Sequence, residues 1–169
     1  MMIRIRGMRG SLAQAVSAAL ILTASYAIAC PVEAAFSPDG GALQLVIRTI
    51  DSAHTSLRMA AYSFTSRPVA DALVRAGKRS VDVRVVADKS NRNECYSEVG
   101  FLLSQGVPVR LDYRYAIMHD KFIVGDGATA EEGSFNYTSS ADRRNAENVL
   151  VLKDSKLQGS TIGSGNGCG

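Results

Sequence analysis

The sequence predicts one α/β domain built on a mixed, largely parallel sheet with helices on both faces. Three observations predict this class. A chain of 169 residues with 46% hydrophobic content suits a single ordinary core. Strand and helix patterns alternate through the middle of the chain, and each parallel crossover needs a covering element. From Ile117 onward the alternation gives way to two apolar segments joined by a loop-rich stretch.

Each element is assigned from the spacing of its apolar residues. Helices are assigned where these residues recur at spacings of three and four, as at Leu43, Val46 and Ile50. Strands are assigned to β-branched runs such as Val81–Ala87, and Gly77 is assigned as a helix terminator. The predicted elements are, in chain order, helix 42–52, strand 56–64, helix 68–77, strand 81–87, helix 96–105, strand 108–113, strand 121–124 and strand 148–152.

The first 29 residues have the pattern of a secretory signal peptide. Arg4, Arg6 and Arg9 precede an apolar run that ends in small residues at Ala29. Cleavage is expected after Ala29, while Ala34 is an alternative end and an uncleaved membrane anchor is left open. We therefore expect a periplasmic or secreted protein, with no stable membrane association once the leader is removed.

Composition sets the remaining boundaries. The folded domain is expected over 36–153, and the Gly/Ser-rich residues 154–169 are expected to form a disordered tail. Cys30, Cys95 and Cys168 have no metal-ligand spacing. In an oxidising compartment, their odd number leaves at least one of them unpaired or joined to another chain.

The net charge of +3 gives no information about the substrate. The whole chain has 19 basic and 16 acidic residues, but three of the basic ones lie in the predicted leader. Without that leader the two signs are equal in number, so bulk charge does not indicate a surface for a polyanion.

The chemistry is concentrated in the segment MHDKFIVGD and in the later segment GSFN. Strand periodicity places His119 and Lys121 on the same side, about 7 Å apart along the chain. Ser134 and Asn136 have the same spacing, and both offer hydrogen-bond donors. An imidazole, an ammonium group and two polar side chains can thus address one phosphate.

These two segments resemble a known family. HDKFIVGD resembles the H-x-K-x-x-x-x-D signature of the phospholipase D superfamily. GSFN followed by Glu147-Asn148 resembles the continuation found in the small bacterial nucleases of that family. The similarity runs from about Phe36 to Leu152, so the resemblance implies a phospholipase D-like phosphodiesterase domain.

The resemblance also implies a role for each matching residue. His119 is expected to attack phosphorus and form a phosphohistidine, or to act as the acid that protonates the leaving oxygen. Lys121 and Asn136 are expected to hold the non-bridging oxygens, with Ser134 assisting, and such preorganised donors stabilise the charge of the transition state.

Two carboxylates complete the expected site. Glu147 resembles the residue that orients the nucleophilic imidazole through its second nitrogen. Asp126 matches the last position of the motif, where we expect it to brace the loop rather than touch the substrate. No cofactor is implied, and no metal is expected, because Lys121, Asn136 and a protonated imidazole meet the charge of the phosphate.

The histidine count predicts a homodimer. The chain has two histidines, and His54 lies in SAHT, outside any second H-x-K pattern. One chain therefore does not supply both proton-transfer partners. A two-fold axis that brings both copies of His119 to one shared site would supply them.

Three functions are weighed. The leading one is non-specific endonuclease action on DNA or RNA, and the second is phospholipase D action on phospholipid headgroups. The third is an impaired family member that only binds nucleic acid, because LQGSTIGSGNGCG stands where the family continues into an amphipathic helix. The cations Arg143, Arg144, Lys89 and Arg92 are interpreted as ordinary exposed charges, with contact to flanking phosphates as the alternative.

Overall fold

The computed structural model of the protein describes residues 32–154. The predicted leader, Cys30 and Cys168 lie outside the described residues, as does the predicted tail apart from Asp154. The backbone N–H of Asp154 donates to the carbonyl of Ala128 at 2.8 Å. Cys95 is exposed and is not in a disulfide.

Every predicted element is present, and two further strands and one further α-helix accompany them, together with a short 3-10 turn. The elements are, in chain order, β1 (Val32–Ser37), α1 (Ala42–Asp51), β2 (Ser56–Ala61), α2 (Arg67–Lys78), β3 (Asp82–Asp88), a 3-10 turn (Lys89–Arg92), α3 (Val99–Ser104), β4 (Val109–Asp112), β5 (Lys121–Gly125), β6 (Thr129–Gly133), α4 (Ser139–Arg143) and β7 (Glu147–Lys153). Those missing from the prediction are β1, β6 and α4. Because β1 begins at Val32, the sheet starts before the predicted boundary at residue 36.

The α/β class and the mixed sheet are confirmed. One seven-stranded sheet has the order β1-β7-β6-β5-β2-β3-β4. Only the β2–β3 and β3–β4 pairings are parallel, and the other four are antiparallel, so the sheet is less parallel than predicted. The hairpin between β5 and β6 accounts for one of the antiparallel pairs, since a strand that returns directly beside its predecessor must run antiparallel to it.

The core lies between the sheet and its helices. Strand β3 alternates strictly, with Val83 and Val85 buried while Arg84 and Val86 face outward. The apolar sides of α1 and α2 pack on this buried face. Complete burial of a side chain such as Val46 contributes about 1.5–3 kcal/mol, so this face holds the domain together.

Within residues 32–154 the helices pack on one face of the sheet, whereas the prediction placed helices on both faces. On the opposite face Val86 is 38% exposed and Phe36 is 59% exposed. Connection handedness explains the arrangement. The strands β1, β2, β3 and β4 succeed one another in one direction across the sheet, and right-handed crossovers made in one direction place their helices on one face.

The topology brings the chemical residues to one edge of the sheet. The carboxyl ends of β2, β3, β4 and β6 lie at this edge, together with the starts of β5 and β7. We call it the site edge. Carboxyl ends of parallel strands are a usual place for ligand sites in α/β sheets.

Candidate active site

His119 is held at the site edge by the backbone on either side of it. The buried carboxylate of Asp88 accepts a hydrogen bond from the backbone N–H of Met118 at 2.8 Å. The backbone N–H of Tyr62 donates to the carbonyl of Asp120 at 3.0 Å. His119 itself is exposed, and its ring packs against that of Tyr62 with 4.5 Å between the centroids. The imidazole is therefore positioned on one side and open to a ligand on the other.

Lys121 begins β5 and turns back over the histidine. Its Nζ lies 3.2 Å from Nδ1 of His119 and donates to the carbonyl of His119 at 2.7 Å. The same Nζ lies 5.2 Å from the centre of the Tyr62 ring. Burial lowers the pKa of Lys121, and the negative charges of Glu147 and Asp120 partly oppose this change. The predicted pairing of His119 with Lys121 is present.

The segment after β6 carries Ser134 and Asn136. Gly133 permits the close approach of β7, because a Cβ atom there would lie 2.1 Å from the carbonyl oxygen of Asn148. Phe135 is buried and anchors the segment, so Ser134 and Asn136 lie on either side of a core residue. The Oδ1 atom of Asn136 is buried and has no hydrogen-bond partner. A buried amide oxygen without a partner is unusual, and the Nδ2 of the same side chain is the atom that can donate to an anionic oxygen.

Glu147 starts β7 and is fixed by two neighbours. The Oγ of Ser134 donates to its Oε2 at 2.6 Å, and the Nδ2 of Asn145 donates to its Oε1 at 2.9 Å. We predicted that Glu147 accepts a hydrogen bond from the ring of His119, whereas within residues 32–154 its carboxylate accepts from Ser134 and Asn145. Lys121 lies against the ring instead, and Glu147 acts on Lys121 through its charge.

Asp126 is not part of this group, although it belongs to the motif. It follows β5 at the end of the sheet opposite the site edge. Its carboxylate accepts hydrogen bonds from the backbone N–H groups of His54, Thr55 and Ser56 at 2.8–2.9 Å. Burial would raise the pKa of Asp126, but these hydrogen bonds outweigh it and hold that pKa well below its usual range. Asp126 braces the turn before β2, as expected, and it lies away from the catalytic site in which the motif had included it.

His54 lies at the same remote end. It precedes β2, whose six residues span about 20 Å before the chain reaches Tyr62. The second histidine of the chain therefore does not reach the ring of His119. Residues 32–154 also contain no group of three or more His, Cys, Asp or Glu side chains that could hold a metal ion.

Three contributors were missed from the sequence. Tyr62 packs on the histidine ring, Asp88 fixes the approach to it, and Asn145 holds Glu147. Tyr62 directly follows β2 and Asp88 ends β3, so the rule for the carboxyl ends of parallel strands could have found both. Nothing in the local pattern indicates Asn145, because its contact depends on the turn between α4 and β7.

The arrangement is suited to a tetrahedral anion. An exposed imidazole, an ammonium group and a carboxamide lie on neighbouring strand ends of the site edge. Their backbone supports are buried, which keeps the donors in place before a ligand arrives.

Known proteins resemble this chain in sequence and fold. The family described as "Cardiolipin synthase, PLD-like domain" matches residues 46–161. Phospholipase D of Rickettsia prowazekii is 36% identical over 126 residues, covering 75% of this chain and 62% of that protein. Mitochondrial cardiolipin hydrolase of Danio rerio is 33% identical over 138 residues, covering 79% of this chain and 58% of that protein. Nuc of Salmonella typhimurium, a phospholipase D family member, superposes with a TM-score of 0.73 and 43% identity, covering 77% of this chain and 88% of that one.

The family match and the superposition on Nuc place this mixed sheet, with its histidine and lysine two residues apart, in the phospholipase D-like class. The match to the PLD-like domain covers more than half of the sequence. The chain belongs to the phospholipase D superfamily, as its motifs predicted. It spans less than two thirds of the length of the two curated relatives described above.

Proposed function

We propose that the protein hydrolyses phosphodiester bonds through a covalent phosphohistidine at His119. The observation that carries the proposal is the exposed ring of His119 beside the Nζ of Lys121. In the first step the imidazole attacks phosphorus and the leaving oxygen departs with a proton. In the second step water attacks the phosphohistidine and frees the enzyme. Lys121 and Asn136 hold the non-bridging oxygens in both steps.

The substrate we propose is DNA or RNA, cut with little sequence preference. His119 is exposed at the edge of the sheet, where a polymer can reach it. The site needs only to hold a phosphate, and phosphate contacts carry no sequence information. Action on a nucleic acid outside the cytoplasm fits the periplasmic or secreted location that the leader predicts.

We further propose that two copies form one site about a two-fold axis. The histidine at position 54 lies at the far end of the sheet, so a second proton-transfer group near His119 has to come from another copy. In a symmetric dimer the second copy's His119 would protonate the leaving oxygen and then activate water. Within each copy, Ser134 and Asn145 hold Glu147 where its charge favours the protonated form of Lys121.

Phospholipid headgroups are the second candidate substrate. The relatives from Rickettsia and Danio rerio are named a phospholipase D and a mitochondrial cardiolipin hydrolase, which favours this alternative. The phosphoryl chemistry would be identical, and the walls of the site would differ. No helix within residues 32–154 is long and apolar enough to cross a membrane.

The chain from Cys30 onward tests these proposals in one set of assays. Single-stranded DNA, duplex DNA, RNA, phosphatidylcholine vesicles and cardiolipin vesicles are supplied separately, each with and without EDTA. We expect cleavage of nucleic acid that survives EDTA, is lost in His119→Ala and is kept in His54→Ala. Turnover of vesicles alone would favour the lipid alternative, and loss in EDTA with recovery in a divalent ion would contradict the metal-free chemistry. A cooperative melt without any turnover would indicate the impaired family member.

A further inference from the structure

A pocket of about 600 Å³ opens directly beside the catalytic histidine. It lies at the site edge, where β2, β3 and β4 end, and its walls include Tyr62, Lys89, Arg92 and Tyr113. Tyr62 forms part of this wall and also packs on the ring of His119. The pocket is thus continuous with the proposed active site, and its volume falls in the range of ligand pockets.

The cations of this pocket form no direct ion pair with a carboxylate. Burial would raise the pKa of Asp88, but hydrogen bonds from Ser90 and Met118 lower it, and the charge of the neighbouring Lys89 contributes to that lowering. Neither Lys89 nor Arg92 forms an ion pair with any residue of 32–154, whereas every arginine of α1, α2 and β3 does. Lys89 donates only to the backbone carbonyl of Tyr115, at 3.1 Å. Unpaired cations beside a phosphate-handling group are available to a polyanion.

The acidic groups nearby are directed to the backbone. The buried carboxylate of Asp88 accepts hydrogen bonds from the N–H groups of Ser90 and Met118, at 2.9 and 2.8 Å. Asp112 accepts hydrogen bonds from the backbone N–H groups of Arg114 and Tyr115, both at 3.3 Å. Both carboxylates therefore order the loops of the pocket, and their charges are partly met by those donors.

Aromatic rings interleave with these cations. Tyr113, which lines the pocket and follows β4 directly, is 59% exposed, and Tyr115, two residues later, is 54% exposed. Tyrosines that only fill a core would be covered, as Tyr137 is. Exposed rings next to unpaired cations form the kind of surface on which the bases of single-stranded nucleic acids stack.

We propose that this pocket binds an unpaired nucleotide next to the scissile phosphate, with its base on Tyr113 and neighbouring phosphates at Lys89 and Arg92. The inference rests on the proposed action on nucleic acid and narrows its substrate class. Bases in a duplex are stacked on one another, so their faces are not free for a side chain. The protein therefore selects single-stranded over double-stranded nucleic acid.

Binding by the His119→Ala protein tests this selection without cleavage. Fluorescence anisotropy compares a labelled single-stranded DNA oligomer, the duplex of the same sequence and cardiolipin vesicles. We expect Tyr113→Ala to weaken single-strand binding about tenfold and duplex binding by about twofold or less. Tyr113→Phe should restore the affinity, because a phenyl ring still stacks. Lys89→Ala should lower the salt slope for the single strand by about 0.7.

Two matched controls lie outside the pocket. Tyr96→Ala removes another exposed tyrosine, and Lys78→Ala removes a cation at the end of α2 that faces away from the site edge. Neither should change single-strand binding. The inference would be overturned if Tyr113→Ala and Tyr96→Ala lost equal affinity, or if Tyr113→Ala weakened single-strand and duplex binding equally. Nucleic-acid cleavage by the intact protein would still support the proposed function in either case. Binding of vesicles alone would overturn the inference and the proposed function together.

Discussion

Lys121 places its Nζ 3.2 Å from Nδ1 of His119 while it donates to the carbonyl oxygen of the same residue at 2.7 Å. The two-residue spacing of the motif makes this contact, because Lys121 begins β5 and His119 lies two residues earlier on the same side. Tyr62 supports both side chains. The proposed reaction depends on this group of three residues.

Replacing His119 should abolish turnover. We expect His119→Ala to lower kcat by about a thousandfold or more, because the group that forms the covalent intermediate is gone. The protein should melt at the wild-type temperature, since the side chain is exposed. Steady-state cleavage of a fluorogenic oligomer and thermal unfolding measure the two effects.

Mixing this variant with the wild-type protein tests the shared site. If two copies of His119 serve one site, random pairing of equal amounts leaves about one quarter of the dimers with both intact. Activity per wild-type chain should then fall by about half. Activity that stays unchanged on mixing, with subunit exchange demonstrated, would rule out the shared site.

Removing the charge of Glu147 should move the pH profile. Burial lowers the pKa of Lys121 and Glu147 counteracts this, so Glu147→Gln should lower the pKa of Lys121 further. The ammonium form would then be lost at a lower pH, and the alkaline limb of kcat/KM should shift to lower pH. Glu132→Gln, at an exposed position of β6, is the matched control and should leave the limb in place. If the alkaline limb does not shift in Glu147→Gln, deprotonation of Lys121 is not the cause of that limb.

Asp126→Asn should affect stability and leave the chemistry intact. Hydrogen bonds depress the pKa of this carboxyl below its usual 3.8, so its contribution is present above that pH and lost as pH falls through the folded-state value. We expect a loss of about 2 kcal/mol in the free energy of unfolding at pH 7 and a smaller loss at pH 3. Urea unfolding at both pH values measures this. A large fall in kcat for the folded Asp126→Asn variant would contradict this prediction and indicate that Asp126 takes part in catalysis.

Glu131→Gln should remove a pH dependence of stability. Burial raises the pKa of Glu131 to about 8, and Tyr137 donates to this carboxyl at 2.8 Å. The folded protein holds a proton that the unfolded chain releases near 4.5, so stability falls as pH rises from about 5 to 8. The slope should approach about 1.4 kcal/mol per pH unit in the wild type and be absent from the glutamine variant. Identical slopes in the two proteins would contradict a proton on Glu131.

The same glutamate explains why the sequence does not predict β6. Thr129–Gly133 has two consecutive glutamates and little apolar content, which is not typical of a strand. Glu131 nevertheless lies in the core, because Tyr137 reaches it from the following segment. Strand β1 is missed for another reason, since its residues fall at the boundary of the predicted leader. The strands and helices with regular spacing, such as α1 and β3, were predicted closely.

The sequence likewise predicted some features of the site and missed others. Spacing predicted that His119 and Lys121 share a side, and the structure brings these two side chains together. The role of Asn136 was implied by the resemblance and stays a prediction. The motif did not predict that Lys121 would occupy the place expected for Glu147, nor that Tyr62 would support the ring. Those contacts join residues far apart in sequence, and only the order of strands in the sheet brings them together.

The covalent intermediate is the most direct test of the proposed reaction. Wild-type protein turning over an oligomer is denatured rapidly, digested and analysed by mass spectrometry for a phosphoryl-linked fragment. The account predicts an adduct on the peptide that contains His119, no adduct on the peptide that contains His54, and none in the His119→Ala variant. Steady turnover with an unmodified His119 peptide at every quench time would contradict it.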